Sequence, residues 1–323
     1  MKGRLKEMTG LMKVETAAVG TANAFGENLI ERFAKFAAVS ENSRKTYIKS
    51  LRQMFHYFAD NAINTPCREN LIDWVEGMKI DGKSSSTVNL YLTAAKIFFR
   101  WTAQEGIFPN IADNLKKGCK VGHNHKRDAL SPEQCKELVT SVRGSSLKEL
   151  RDVAILSLMT TAGTRTCEVV RANVGDVRFE RGKTFLYVQG KGHAEADEKI
   201  LLSKQTYSAI KNYLKARGKV QASAPLFVST SRRNKNCRLD TQSIRKMVKK
   251  QLRSIGLDSP RLSAHSLRHA VATNLIFAGV ELPRVQQIMR HSNLSTTMIY
   301  EHAFARYQND GEQLLSDLIF GRE

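Results

Sequence analysis

The sequence predicts a mainly α-helical protein of two domains, with a small antiparallel β element confined to the second. Three observations carry this. Apolar residues recur at helical spacing; Tyr47, Leu51, Met54, Phe55 and Phe58 fall at i, i+4, i+7, i+8 and i+11. Two short β-type runs, Phe185–Gln189 and Lys199–Leu202, flank a glycine-rich turn, which predicts a hairpin. Residues 116–127 (KKGCKVGHNHKR) hold five Lys/Arg, two Gly and no acid, the composition of a linker. At 323 residues, the chain has room for two cores.

Residues 1–22 mix charge, Gly, Ala and Thr without period and read as a flexible arm. Leu29, Ile30, Phe33 and Phe36 then mark a helix from Phe25 to Phe36. Ser40–Ser43 offers N-caps for the next helix, through Thr46 to Phe58. Pro66 breaks the chain before a short helix holding Leu71, Ile72, Trp74 and Val75. Lys83–Thr87 caps a fourth, whose apolar face is Val88, Leu92, Ala95, Phe98, Phe99 and Trp101; Gly106 and Pro109 end it. These helices form a first domain, residues 23–117, followed by a basic linker, 118–128, and a second domain, 129–323.

The second domain opens at Ser131-Pro-Glu-Gln134, with an N-cap, Pro at N1 and Gln at N3. Leu147 to Thr160 is apolar enough to be buried on most sides. Helices resume at Thr206–Arg217, at Thr241–Ile255 and around residues 264–302. The last, Asp310–Phe320, carries a stripe of Leu314, Leu315, Leu318 and Ile319.

The formal charge is 51 − 31 = +20. Such an excess points to a polyanionic partner, nucleic acid ahead of a membrane surface. No run approaches the ~20 apolar residues of a membrane span, and the N-terminus lacks the apolar core of a signal peptide. Five scattered cysteines with no CxxC support neither a zinc site nor a disulfide framework. A reducing cytoplasm is the expected location, and no cofactor is implied.

The chemistry concentrates in residues 264–302, which hold His265, Arg268, His269, His291 and Tyr300. His265 and Arg268, three apart in a helix-forming run, share a face. Upstream, Gly163 allows a tight turn before Arg165, and Glu168 is placed to orient that arginine or cap its helix. Lys191 sits between Gly190 and Gly192. Residues 232–253 carry nine Lys/Arg and one acid, Asp240, a run suited to phosphate backbone. Taken singly, Arg165 also reads as a surface arginine and Lys191 as a solvated turn residue. His265 and His269 have the i, i+4 spacing of a zinc pair. The glutamate of HExxH is absent, however, and Arg268 would repel a cation, so no metal is expected. His269 reads as structural.

Taken in order, Arg165, Lys191, His265-x-x-Arg268, His291 and Tyr300 resemble the six active-site positions of the tyrosine recombinase (phage integrase) family. The resemblance covers nearly the whole chain. Ser43-x-x-Thr46-Tyr47 and Ser86-Thr87-x-Asn89 look like that family's helical, SAM-like core-binding domain. It implies a catalytic domain that closes with the first domain as a clamp on double-stranded DNA, and a two-domain, Xer-like or Cre-like enzyme. Tyr300 would be the nucleophile and form a 3′-phosphotyrosine. Arg165 and Arg268 would hold the phosphate, His265 would assist the tyrosine proton, His291 would donate to the phosphate, and Lys191 would protonate the leaving oxygen. DNA-contact candidates are Arg44, Lys45, Lys49, Arg52, Lys96 and Arg100 in the first domain, and Arg232, Arg233, Arg245 and Lys246 in the second. The resemblance also implies a homo-tetramer on two duplexes, its C-terminal helix docking in trans. A type IB topoisomerase and a non-catalytic DNA-binding factor of the same fold stand as alternatives.

Overall fold

The computed structural model describes residues 19–115, 128–190, 195–291, 298 and 311–321. Most of the expected arm and linker, Lys191 and Tyr300 lie outside the described residues. The chain divides into two compact units, residues 1–122 and 123–323.

Among its described residues, the first unit holds four helices: α1 (Val19–Phe36), α2 (Glu41–Asp60), α3 (Arg68–Ile80) and α4 (Ser85–Gln104). Helix α1 begins earlier than the Phe25 marked by the apolar rhythm, because Val19–Asn23 adds a turn that carries no apolar stripe. The caps act as expected. Ser40 accepts from the Ser43 amide, and Ser84 from the Thr87 amide. The core is aromatic. Phe98 is fully buried, and its ring meets Phe33 and Phe55 edge-on, each at 5.6 Å, and Phe99 at 5.3 Å.

The second unit holds α5 (Pro132–Thr140), α6 (Leu147–Ala162), α7 (Thr166–Arg171), β1 (Val177–Glu180), β2 (Lys183–Val188), β3 (Glu198–Leu201), α8 (Lys204–Arg217), α9 (Thr241–Ser254), α10 (Ala264–Phe277), α11 (Leu282–Met289) and α12 (Gly311–Phe320). Helix α6 is its axis. Ala154, Ile155, Leu156, Leu158 and Met159 are all fully buried, so every side of the helix meets protein. Helices α5, α8 and α10 pack on it.

The expected hairpin is present, with Leu186 opposite Ile200 and Val188 opposite Glu198. A third strand, β1, pairs antiparallel to β2, with Val177 opposite Leu186. The sequence did not announce it: four residues, Val-Arg-Phe-Glu, make too short an alternation. Its Phe179 stays 75% exposed, so burial leaves no pattern to read. Helix α12 forms over the expected tail, and Leu314, Leu315, Leu318 and Ile319 are exposed.

Truncating the centre of the first core should be costly. Phe98→Ala should lower the stability of that unit by about 3–5 kcal/mol in urea denaturation, whereas Arg100→Ala, two residues on and exposed, should leave it within about 0.5 kcal/mol.

Candidate active site

Two short elements bring the candidate residues together. The first is the turn between α6 and α7. Gly163 ends α6 in the left-handed conformation, φ 58°. A side chain there would be strained, and its Cβ would stand 3.0 Å from the Met289 sulfur. The turn places Arg165 at the N-cap of α7, whose six residues could not hold a helix alone. At its other end, the Arg238 guanidinium donates to the carbonyls of Val170 (2.7 Å), Arg171 (2.8 Å) and Ala172 (3.2 Å). Arg171 in turn reaches the Gly190 carbonyl at 3.5 Å, which ties the end of the β2 segment to the same helix.

Glu168 organises Arg165 twice. One carboxylate oxygen accepts from the Arg165 backbone amide at 2.8 Å, and the other from its Nη1 at 2.6 Å. The carboxylate is fully buried and is shared with Arg290, whose Nη2 donates to it at 2.9 Å. Burial alone would raise the Glu168 pKa. The charge of Arg290 and the bonds from Arg165 outweigh it and hold the carboxyl below the usual range. The carboxylate therefore stays ionised between two guanidinium groups.

The second element is the end of α11. Arg290 closes that helix in the left-handed conformation, φ 53° and ψ 50°. For a residue with a Cβ this costs about 1–2 kcal/mol. The turn leaves the last carbonyls of α11 without helical partners, and arginines take them. Ile288 O accepts from Arg290 Nη1 at 2.9 Å, Met289 O from Arg268 Nη2, and Arg290 O from Arg165 Nη2 at 3.2 Å. Arg268 also donates through Nη1 to the Gly163 carbonyl at 2.6 Å. It thus bridges the C-terminal ends of α6 and α11, where helix dipoles favour a cation.

Helix α10 supplies Arg268 from its inner face and His265 from its exposed edge. His269, one turn on, is buried, its ring edge-on to His265 with centroids 4.5 Å apart. His291 follows directly on the α11 turn, its amide donating to Gln286 O at 3.2 Å. Burial, and then the charges of Arg268, Arg165, Arg290 and His265, push the His291 pKa down to about 4. At neutral pH its ring is uncharged, with one N–H to donate and one nitrogen to accept.

Four of the six residues expected from the sequence are therefore gathered here: Arg165, His265, Arg268 and His291. Lys191 and Tyr300 lie outside the described residues. Arg290 was missed: nothing in the periodicity singles out the residue before His291. No local signal could have found it, because its place in the site comes from a left-handed turn and a carboxylate far away in the chain. Among the DNA-contact candidates, Arg52 makes a two-pronged bond to Glu27 at 2.8 and 2.9 Å, Lys45 pairs with Glu41 at 2.6 Å, and Lys96 donates to the Leu115 carbonyl. Lys49, Arg100, Arg232, Arg233, Arg245 and Lys246 are exposed, and Arg44 is half-buried on α2.

Comparison with known proteins gives a consistent picture. Residues 128–306 match the model of the phage integrase family, and residues 27–106 match that of the phage integrase N-terminal SAM-like domain. The chain is 29% identical over 273 residues to tyrosine recombinase XerA of Pyrococcus horikoshii, covering 84% of this chain and 88% of that protein. It is 32% identical over 235 residues to tyrosine recombinase XerC of Corynebacterium efficiens, covering 72% of each. The fold resembles that of XerH site-specific recombinase bound to a palindromic difH substrate, with a TM-score of 0.69 at 22% identity, covering 85% of this chain and 79% of that one.

The depressed His291 pKa has a sign that can be checked. In the unfolded chain a histidine titrates near its ordinary value of 6.5, whereas in the folded chain His291 titrates at about 4. Between these values the unfolded state holds the extra proton, so stability falls as pH drops from about 6.5 toward 4 and gains nothing from this group above 6.5. His291→Gln should flatten that part of the stability-versus-pH curve relative to the parent chain, measured by urea denaturation at intervals from pH 7 to 4.5.

Proposed function

The chain belongs to the phage integrase family, and from that premise we propose that it is a site-specific DNA recombinase that cuts and rejoins strands through Tyr300. The observation that carries this is the meeting of Arg165, Arg268, His265 and His291 at the ends of α6 and α11, inside the segment that matches the integrase model.

The chemistry follows from the charges. A phosphodiester resists attack because its oxygens are anionic. Arg165 and Arg268 present planar guanidiniums that can take the two non-bridging oxygens through charge-assisted bonds. They stabilise the charge that builds on the pentavalent state. A lysine, with a point charge and no planar fork, would substitute poorly at either position. His291, neutral at pH 7, donates its single N–H to the same phosphate.

Tyr300 starts as a phenol with a pKa of about 10 and must lose its proton during attack. His265, on the exposed edge of α10, is the group assigned to receive it. The phenolic oxygen bonds to phosphorus as the bond to the 5′ oxygen breaks, and Lys191 protonates that oxygen. The products are a 3′-phosphotyrosine and a free 5′-hydroxyl. Attack by a second 5′-hydroxyl reverses the step and exchanges strands, through a Holliday junction when repeated. One phosphoester replaces another, so the scheme calls for neither ATP nor a metal ion.

DNA is the polyanion that the +20 charge suits. In this reading residues 23–117 and 129–323 clamp a duplex, with 118–128 as basic linker. Arg232, Arg233, Arg245 and Lys246 contact backbone from the second unit. Lys49 and Arg100 do so from the first, ahead of Arg52, Lys45 and Lys96, which already hold partners. Four copies on two duplexes would be joined by α12 docking on a neighbour, which its exposed leucines favour, and the cytoplasm is the compartment where such DNA lies.

A nicked duplex that releases the cleaved end should trap the covalent intermediate. Tyr300→Phe should abolish the adduct while changing DNA affinity less than about threefold; an adduct of undiminished yield would reassign the nucleophile. Lys191→Ala should slow cleavage, and a 5′-thio leaving group, which needs no acid, should restore it; a defect of equal size on both substrates would remove the general-acid role.

A further inference from the structure

Arg290 stands outside the set expected from the sequence, yet it occupies the centre of the site. Its side chain is 8% exposed and meets two carboxylates on different elements: Glu168 of α7 at 2.9 Å and Glu198, the first residue of β3, at 3.4 Å. Its own carbonyl accepts from Arg165, and its Nη1 returns to Ile288 O at 2.9 Å. Its backbone is one of five non-glycine residues with positive φ among the described residues. Glycine would adopt that conformation without strain. An arginine held there is buried and ion-paired on two sides, so its side chain offsets the backbone strain.

We propose that Arg290 is a positioning residue for the recombination reaction: by holding the Glu168 oxygen that the Arg165 side chain does not use, and tying that pair to β3, it sets where the Arg165 guanidinium meets the scissile phosphate. The inference rests on the recombinase reading above and deepens it. Glu168 has one carboxylate for two guanidiniums. Arg290 takes the oxygen that also accepts from the Arg165 amide, and so leaves the second oxygen to the Arg165 side chain. Without Arg290, the buried carboxylate would have Arg165 as its sole guanidinium partner among the described residues and would draw it inward. A charge-assisted bond that Arg165 spends on Glu168 is one it does not give the phosphate. Arg290 does not itself need to touch DNA in this account.

The test compares cleavage of a nicked suicide duplex carrying an ordinary scissile phosphodiester with one carrying a neutral methylphosphonate there. The neutral centre needs less help from a guanidinium, so a defect that acts through Arg165 shrinks on it. Arg290→Gly relieves the backbone strain and removes the side chain. It should bind the duplex within threefold of the parent chain and cut the phosphodiester about a hundredfold more slowly, the loss that follows a misplacement of about 1 Å. On the methylphosphonate the loss should fall below tenfold. Arg290→Lys, which keeps the charge but not the fork, should fall between, and it replaces Arg290→Gly in the comparison if that variant does not fold. The proposal is overturned if Arg290→Gly, or Arg290→Lys in its place, cleaves the phosphodiester within threefold of the parent, or if the loss is equal on the two substrates. No adduct from the parent chain would overturn the recombinase reading and this inference with it; a normal parent adduct alongside either overturning result would remove this inference alone.

Discussion

The site depends on how three arginines can stand side by side. Arg165, Arg268 and Arg290 all converge on the end of α11, and each donates to one of the carbonyls of Ile288, Met289 and the capping Arg290. Free helix C-termini present partial negative charge and unsatisfied acceptors. The turn at Arg290 aims those acceptors at the arginines, and the buried Glu168 adds a full negative charge between two of them. Repulsion among the guanidiniums is thereby offset before any substrate arrives. Three guanidiniums against one buried carboxylate leave a net positive field, which is what a phosphate needs.

That arrangement explains features elsewhere in the second unit. Gly163 must be glycine because its turn brings the end of α6 against Met289, close enough for Arg268 to reach carbonyls of both helices. Helix α7 is too short to persist alone, so Arg238 caps one end while Glu168 fastens the other. His291 pays no charge penalty in this field because it stays neutral. In the proposed reaction the arginines carry charge and the histidine carries direction. The α6–α10 packing supports both arginines from behind, and prearranged charge is where electrostatic catalysis is most effective.

Much of this was legible in the sequence, for physical reasons. Helices with an apolar stripe, such as α2 and α4, announce themselves because burial on one face imposes the period. The caps at Ser40, Ser84 and Ser131 were equally readable, since few residue types satisfy a free amide there. Strand β1 was not, because four residues with an exposed Phe179 show no alternation. Within the site, Gly163 before Arg165 signalled a turn that delivers a side chain; Glu168 was read as orienting Arg165 or capping its helix, and it does both. Arg290 was invisible because its importance comes from a left-handed turn and from a carboxylate buried 122 positions away in the chain. Local pattern carries neither fact. The order Arg165, Lys191, His265, Arg268, His291, Tyr300 signalled the chemistry only as a family resemblance.

The central claim is that the ends of α6 and α11 hold Arg165 and Arg268 ready for one phosphate. A crystal structure of the chain on a nicked duplex containing its recombination site tests this most directly. The account predicts a single phosphate receiving N–H groups from Arg165, Arg268 and His291, with Arg268 still bonded to the carbonyls of Gly163 and Met289 and the Tyr300 oxygen in line with the leaving 5′ oxygen. A complex in which DNA contacts Arg232, Arg233 and Arg245, but no phosphate comes within hydrogen-bond reach of both Arg165 and Arg268, would contradict it.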